Sequence, residues 1–274
     1  MPLDAFAIVL AAAALHAIWN LVIAGSKDTQ ATTALAIGVG VLVVLPFALV
    51  RWDVKPEVWP FVVASSVLEL AYFWLLTTAY DRAEMSLVYP IARGSAPVIV
   101  LIVAVALLGV GSSPFQAAGV ALVGTGVVLV RGLCGGAKWS DVALALVIGS
   151  TIAAYTLVDN QGVRYADPIA YITLILIPPA IVSPLYIASR GGVARLRRAL
   201  DWRTVAGGVA TMAAYTLVLF ALRLASTPSV AAVREVGVVF VTFGGMVFLH
   251  EKVGPTRMAG SVVVALGVAL VVAG

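Results

Sequence analysis

The sequence predicts an all-α integral membrane protein with ten transmembrane helices, arranged as two inverted five-helix repeats. Of its 274 residues, 62% are hydrophobic and only 11% are charged. The mean hydropathy is +1.09, which is far above that of soluble domains. Apolar segments close to the ~20 residues that a helix needs to cross a bilayer follow one another along the chain. The two halves of the chain also match each other in sequence.

The ten apolar segments are separated by short loops that carry charged residues, glycine or proline. No small-residue cleavage site follows the first segment, so we predict a retained span and not a signal peptide. Little of the chain is left over for a soluble domain. The segments lie at residues 4–24, 31–50, 58–80, 85–108, 114–131, 140–160, 168–188, 203–223, 228–249 and 255–273.

The internal repeat predicts units at residues 1–136 and 137–274 that together form one transport domain. Five spans per unit is an odd number, so the second unit inserts upside down relative to the first. Inverted repeats of this kind enclose a central site in many transporters. A shift of 141 residues aligns Arg93 with Arg234, Pro114 with Pro255, Gly119 with Gly260 and Gly126 with Gly267.

Lysine and arginine are unevenly distributed between the loops. Loops after odd-numbered segments hold eleven of them and loops after even-numbered segments hold four. The positive-inside rule therefore places the odd loops in the cytoplasm and both termini outside.

Arg93 lies well inside the fourth apolar segment. An arginine that faces hydrocarbon costs about 2.5–3.5 kcal/mol or more, so Arg93 should face the protein interior or water. Pro90 and Pro97 bend or loosen the helix around it, and Gly94 allows close approach of a backbone or a ligand. These features predict a binding site, the alternative being an arginine that only pairs to hold helices together.

Two segments carry candidate gating residues. Pro90, Gly94 and Pro97 weaken the fourth helix, and Pro228 and Gly237 weaken the ninth. The two stretches are related by the repeat, so we expect one to close while the other opens.

Glu69 lies at the centre of the third segment, where two roles are open. It either forms an ion pair with Arg93 or Arg234, which we favour, or it stays unpaired and carries a proton. His16 likewise has two interpretations, a hydrogen-bonded core residue or a group that titrates and gates transport. Asn20 shares a helix face with His16.

We predict a central cavity formed by segments 1, 3, 4, 6, 8 and 9, where the ionisable residues concentrate. In the sixth segment Asp159 lies four residues from Tyr155. Arg234 and Glu235 should point about 100° apart on a continuous helix, and therefore toward different partners. Aromatic residues suited to a ligand that is partly flat and partly charged are placed to line this cavity: Trp19, Tyr72, Tyr89, Tyr155 and Tyr215.

The fifth and tenth segments are almost free of polar residues and carry paired glycines seven residues apart. Small residues along one face allow close helix packing. We predict that these helices clasp each other, or a second copy in a homodimer, outside the transport pathway. The glycines are Gly119, Gly126, Gly260 and Gly267.

No motif supports an enzyme, a metal site or a bound cofactor. The chain lacks a phosphate-binding glycine loop, metal-ligand spacing and a nucleophilic serine elbow. Cys134 is the only cysteine, so an intrachain disulfide is excluded. The positive charge belongs to short loops and does not indicate nucleic acid binding.

Several motifs resemble the EamA family of the drug/metabolite transporter superfamily. They are LHAIWNLVIAGSKD at 15–28, LVYPIARGSAP at 87–97 and GGMVFLHEKVGPTRMAGSVVVALGVALV at 244–271. The first half departs from the pattern, because Val110 stands where the glutamate corresponding to Glu251 would lie. The resemblance implies a multi-pass protein of the bacterial inner membrane, similar to exporters of amino acids, including aromatic ones. It also implies cytoplasmic termini, contrary to the charge count.

We therefore expect a secondary transporter that exports small zwitterionic or amphipathic metabolites, most of all amino acids, by alternating access. The alternatives are export of another metabolite or of a cationic drug. From a different class, an intramembrane enzyme using Glu69 or His16 and a channel also stay open.

Overall fold

The computed structural model describes residues 1–24, 26, 28–82, 85–109, 111–131, 138–240 and 254–274. Within these residues the chain is built from helices, and one isolated bridge pairs Val54 with Ala166. A single 3-10 turn covers Pro56–Val58. The helices are α1 (Leu3–Ala24), α2 (Thr29–Val50), α3 (Trp59–Arg82), α4 (Met85–Ala106), α5 (Pro114–Arg131), α6 (Trp139–Gly162), α7 (Pro168–Gly191), α8 (Val193–Ala199), α9 (Trp202–Leu222), α10 (Thr227–Arg234) and α11 (Pro255–Ala273).

These helices confirm the predicted all-α membrane fold. Five apolar stretches in the described residues are long enough to cross a membrane, and four further apolar helices are shorter. The ninth predicted segment, 228–249, is described only as far as residue 240. Cys134 and the stretch from 241 to 253, which contains the Glu251-Lys252 motif, lie outside the described residues.

Aspartate side chains define where three of the helices begin. Asp28 accepts a hydrogen bond from the Ala31 N–H at the start of α2, and Asp201 accepts one from the Thr204 N–H at the start of α9. Asp167 precedes Pro168 and caps α7 in the same way. Such carboxylates satisfy backbone N–H groups that have no partner inside the helix. The loop aspartates therefore set the limits of the neighbouring spans.

The contacts at the two ends of the bundle show that the halves are inverted. At one end, here called the bridge end, the chain after α2 pairs through Val54 with Ala166, just before α7 begins. At the other end, here called the basic end, Asp28 before α2 binds Arg195 after α7. The second helix of each half therefore runs in the opposite direction to its counterpart. Both termini meet, since the Met1 amino group donates to the Val272 carbonyl over 3.3 Å.

Helix packing follows the same symmetry. Helix α1 packs on α9 and α6 packs on α3, while α2 packs on α7 and α5 on α11. At the contact of α5 with α11, a Cβ on Gly119 would lie 2.6 Å from the Gly267 carbonyl oxygen. A Cβ on Gly126 would lie 2.8 Å from the Gly260 carbonyl oxygen. Only glycine allows backbones to approach this closely.

Helix α8 lies where the sequence predicted only a loop, between residues 189 and 203. Gly192 separates it from α7 and has a φ of +74°, a conformation that favours glycine. Leu196 and Ala199 on α8 pack against Ile187 of α7. A seven-residue helix is too short for a sequence period to reveal, and this packing stabilises it.

The contact between Asp28 and Arg195 predicts a pH dependence of stability. The Arg195 guanidinium hydrogen-bonds the carboxylate through Nε at 2.5 Å and Nη2 at 2.9 Å, and so holds the pKa of Asp28 below its usual range. The contribution of the Asp28–Arg195 contact to folding stability is therefore complete above the ordinary aspartate pKa of about 3.9. It is lost as the pH falls through the lower pKa that Asp28 has in the folded protein.

We expect Asp28→Asn to cost about 0.5–1 kcal/mol at neutral pH, since asparagine still caps α2 but loses the charge. When the pH is lowered from about 6 to about 3, the unfolding temperature in detergent should then fall less for the variant than for the parent. The exposed Asp53→Asn is the control. Equal acid sensitivity of the Asp28 variant and the parent would contradict the assignment.

Candidate functional site

Arg93 on α4 is the centre of a buried polar cluster. It is only 8% exposed, and its Nη1 lies 3.5 Å from Glu235 Oε1. Its Nη2 lies 2.5 Å from His16 Nε2 on α1. A guanidinium only donates, so His16 accepts at Nε2 and the proton of its neutral ring is on Nδ1. The cluster thus connects α1 and α4 to the chain that follows α10.

The helix is interrupted beside this cluster. Helix α10 ends at Arg234, and the Glu235 N–H turns back to the carbonyls of Ala232 and Val233. Residues 236–240 are helical again. Arg234 Nε lies 3.9 Å from Glu235 Oε1, and the same oxygen lies 3.5 Å from Arg93 Nη1. Glu235 keeps a helical backbone conformation, with a φ of −71° and a ψ of −6°, and that the two neighbours face different partners stays a prediction.

Two atoms of the cluster lack hydrogen bonds. Among the described residues, Arg234 Nε and Glu235 Oε1 are buried without a hydrogen-bond partner. The distances of 3.5 Å and 3.9 Å around Glu235 exceed the roughly 2.7–2.9 Å of charge-assisted hydrogen bonds. Buried polar atoms are nearly always satisfied, so these two require an explanation. Both atoms lie at the turn that ends α10, beside Arg93.

Glu69 on α3 does not form the predicted ion pair. It is 5% exposed, but among the described ion pairs both buried arginines contact Glu235 instead. Glu69 lies within electrostatic range of Asp159 and Arg234. The prediction failed because Glu235 is closer to both arginines, and spacing along the sequence does not reveal that distance.

Asp159 on α6 lies in the same region and is fully buried. Its Oδ1 accepts a hydrogen bond from the Tyr171 hydroxyl over 2.9 Å, and its Oδ2 accepts one from the Tyr215 hydroxyl. Sequence reasoning missed Tyr171, because a tyrosine near the start of an apolar helix is typical of an interfacial belt. Among the described residues no group of acids, histidines or cysteines could hold a metal ion.

Three of the predicted aromatic residues come together beside Asp159. Tyr72 and Tyr155 meet edge to face at 6.0 Å between ring centroids, and Tyr155 meets Tyr215 at 6.1 Å. Trp19 does not join them, because it packs against Ala36 on α2 and Ala210 on α9. Trp19 therefore packs between α1, α2 and α9 and does not line the polar cluster. The side chains of Asn20, Tyr89 and Pro90 lie outside the described residues.

The predicted gating residues occupy different local environments. Gly94 faces α5, where an added Cβ would lie 2.9 Å from the Gly124 carbonyl oxygen, and Gly237 faces Ala13 on α1. Pro97 is buried within α4, which is helical throughout. Pro228 stands in the first turn of α10, where proline is tolerated. The interruption of the ninth span therefore falls at Glu235, and the gating role stays a prediction.

Buried carboxyl groups outnumber buried guanidinium groups in the described part of the chain. Among the described residues, the buried charged side chains are three carboxylates and two guanidiniums: Glu69, Asp159, Glu235, Arg93 and Arg234. An inverted helical repeat around an interrupted helix and buried charges is the architecture of secondary membrane transporters. The family model described as the EamA-like transporter family matches residues 4–132 and again 139–273. The chain belongs to the EamA-like transporter family.

Comparison with solved structures agrees with this fold. A crystal structure of a protein that is 19% identical in sequence superposes with a TM-score of 0.76, covering 98% of this chain and 96% of that one. Among the curated proteins compared, none matches. Membership of the EamA-like transporter family makes the protein a multi-pass membrane transporter of a small molecule.

Proposed function

We propose that this transporter exchanges small zwitterionic or amphipathic metabolites across the bacterial inner membrane by alternating access. Amino acids, including aromatic ones, are the proposed substrates, and export is the proposed direction. The observation that carries the proposal is the pair of buried atoms without hydrogen bonds, Arg234 Nε and Glu235 Oε1, beside Arg93. The direction and the amino-acid class also rest on the resemblance of the motifs to bacterial exporters.

A substrate carboxylate suits the arginine side of the cluster. Guanidinium groups bind carboxylates through two parallel hydrogen bonds, and Arg234 Nε is a buried donor that such a ligand would satisfy. The substrate carboxylate would compete with Glu235 for Arg93 and Arg234. Glu235 lies 3.5 Å from Arg93 and 3.9 Å from Arg234, and contacts this long are easier to replace than close hydrogen bonds.

The rest of an amino acid suits the other side of the cluster. Its ammonium group would offset the third buried carboxylate, with Glu69 and Asp159 as partners. Its side chain would pack against Tyr72, Tyr155 and Tyr215, whose rings combine apolar faces with polar tips. These rings contact each other directly, so a ligand between them requires the rings to separate.

The test is a transport assay in proteoliposomes with matched compounds. Phenylalanine carries both charged groups, phenethylamine lacks the carboxylate and N-acetylphenylalanine lacks the ammonium. We expect phenylalanine to be transported with saturation and to show counterflow, as a carrier requires and a channel does not. The two analogues should be transported at least tenfold less. Equal transport of phenethylamine would contradict carboxylate recognition and favour a carrier of cationic compounds.

The excess buried carboxylate leads to a prediction on coupling. We propose that Glu69 alternates between a proton and the substrate ammonium, because it lacks an ion pair among the described residues. The groups that act on it are Asp159, Arg234 and Tyr155. This proposal takes up the second role that the sequence left open for Glu69, in which it stays unpaired and carries a proton.

Glu69→Gln should therefore abolish substrate-driven pH changes in the liposome lumen, measured with a trapped pH dye. Counterflow of substrate, which needs no net proton movement, should persist in the same variant with a weaker apparent affinity, because Asp159 remains as a partner of the ammonium. The exposed Glu57→Gln serves as the control and should behave like the parent. A pH change of parental size in Glu69→Gln would show that Glu69 is not the proton carrier.

A further inference from the structure

The connection between α7 and α9 forms a basic surface at the end of the bundle. It joins the ends of two membrane-spanning helices, so it lies at the level of the membrane surface. Glycines 191 and 192 lead into α8, and α9 begins at Trp202. Five arginines fall in this short stretch: Arg190, Arg195, Arg197, Arg198 and Arg203.

Helix α8 is held in one orientation by contacts on its inner side. Leu196 and Ala199 pack against Ile187 of α7 and Ala31 of α2. Arg195 binds Asp28 through Nε and Nη2 and also donates to Gln30 over 3.0 Å. These contacts leave Arg197 and Arg198 exposed on the outer side of the helix.

The remaining positive charge of this surface is not neutralised within the described part of the chain. The Arg195 charge is compensated by Asp28, and the Asp201 carboxylate, which accepts the Thr204 N–H and hydroxyl hydrogen bonds, offsets one further charge beside Arg203. The other arginines form no ion pair within 4.0 Å in the described ranges. They are Arg190, which lies over the Tyr186 ring, Arg197, Arg198, and Arg203, which lies over the Trp202 ring.

Large apolar side chains are exposed at the same level. Trp202 is 73% exposed, and Val193 and Leu200 are each more than half exposed. Tryptophan beside arginine is typical of the membrane–water interface. A cavity of about 660 Å³ opens beside the same connection, and its lining includes Arg195, Arg198 and Arg203 together with Asp28 and Asp201.

We propose that the α7–α9 connection binds the headgroups of anionic phospholipids. The arginines would contact the phosphates, and the exposed apolar side chains would enter the boundary between headgroups and acyl chains. The cavity would receive a headgroup. A soluble anion would use the arginines but would have no use for the apolar side chains, so lipid fits the surface better. Anionic lipids attract arginine at a membrane surface.

The test compares lipid binding by two variants of the full chain, which lose three and two positive charges at opposite ends of the bundle. Arg197→Gln/Arg198→Gln/Arg203→Gln removes three exposed arginines from the basic end. Lys55→Gln/Arg164→Gln removes exposed basic residues from the bridge end. Each protein is transferred from detergent into vesicles of phosphatidylcholine alone, or of phosphatidylcholine and phosphatidylglycerol in equal amounts. Native mass spectrometry counts retained phosphatidylglycerol.

We expect the parent and the bridge-end variant to retain phosphatidylglycerol in preference to phosphatidylcholine. The basic-end variant should bind it about 100-fold more weakly, since each arginine near a charged surface contributes about fivefold. Retention at the parental level in the basic-end variant would overturn the proposal. So would displacement of the lipid by an equal concentration of inorganic phosphate, which would indicate a site for soluble anions. Thermal unfolding in detergent confirms that each variant is folded, and none of these readouts depends on transport.

Discussion

Replacing Arg93 with alanine is expected to abolish substrate binding. The guanidinium donates to His16 and lies 3.5 Å from Glu235, and we propose that it also receives the substrate carboxylate. Removing one partner of a buried charge pair costs roughly 2–5 kcal/mol, which corresponds to about a 30- to 5,000-fold loss of affinity. Glu235 would retain only Arg234, at 3.9 Å.

Arg93→Lys separates the charge of the side chain from its shape. Lysine preserves the positive charge but not the fork that binds both carboxylate oxygens, so we expect an intermediate affinity. Arg51→Ala, which removes an arginine whose side chain is 57% exposed, is the control. Equilibrium binding of radiolabelled substrate to detergent-purified protein measures the dissociation constant, and thermal unfolding checks the fold. If Arg93→Ala is folded and binds as tightly as the parent, Arg93 serves only to hold helices together. If it does not fold, parental affinity in Arg93→Lys excludes bidentate recognition.

Replacing Gly119 or Gly126 with valine is expected to prevent stable folding. Even an alanine Cβ at position 119 would lie 2.6 Å from the carbonyl oxygen of Gly267 on the facing helix. At position 126 it would lie 2.8 Å from the carbonyl oxygen of Gly260. Neither oxygen belongs to a flexible side chain, so α5 and α11 must move apart. Overpacking of this kind costs about 1–3 kcal/mol, and valine adds two more carbon atoms at the same place.

Gly111→Ala is the matched control, because a Cβ at Gly111 would have no atom within 4 Å. We expect Gly119→Ala to lower the unfolding temperature in detergent clearly and Gly111→Ala to leave it nearly unchanged. Any folded Gly119→Ala protein should bind substrate with parental affinity, since we place this helix pair outside the transport pathway. If Gly119→Ala leaves the unfolding temperature as unchanged as Gly111→Ala does, α5 and α11 tolerate a wider separation.

The comparison of sequence and structure is clearest at the ninth segment. The sequence favoured an ion pair of Glu69 with Arg93 or Arg234. The structure brings both arginines to the carboxylate of Glu235 instead. The predicted partner, Glu69, is left without an ion pair among the described residues. Spacing along the sequence does not reveal how far side chains lie from each other in space, and those distances decide which charges pair.

The sequence by itself determined the membrane fold, the two inverted halves and the buried position of the charged residues inside the apolar segments. Hydropathy and an odd number of spans per repeat are properties of composition and order, so they need no distances. Only the tertiary structure decided which charges pair, that Tyr171 reaches Asp159, and that Trp19 packs away from the polar centre. Those outcomes depend on differences of an ångström or two between side chains from separate helices, and helix packing, not local sequence, determines such distances.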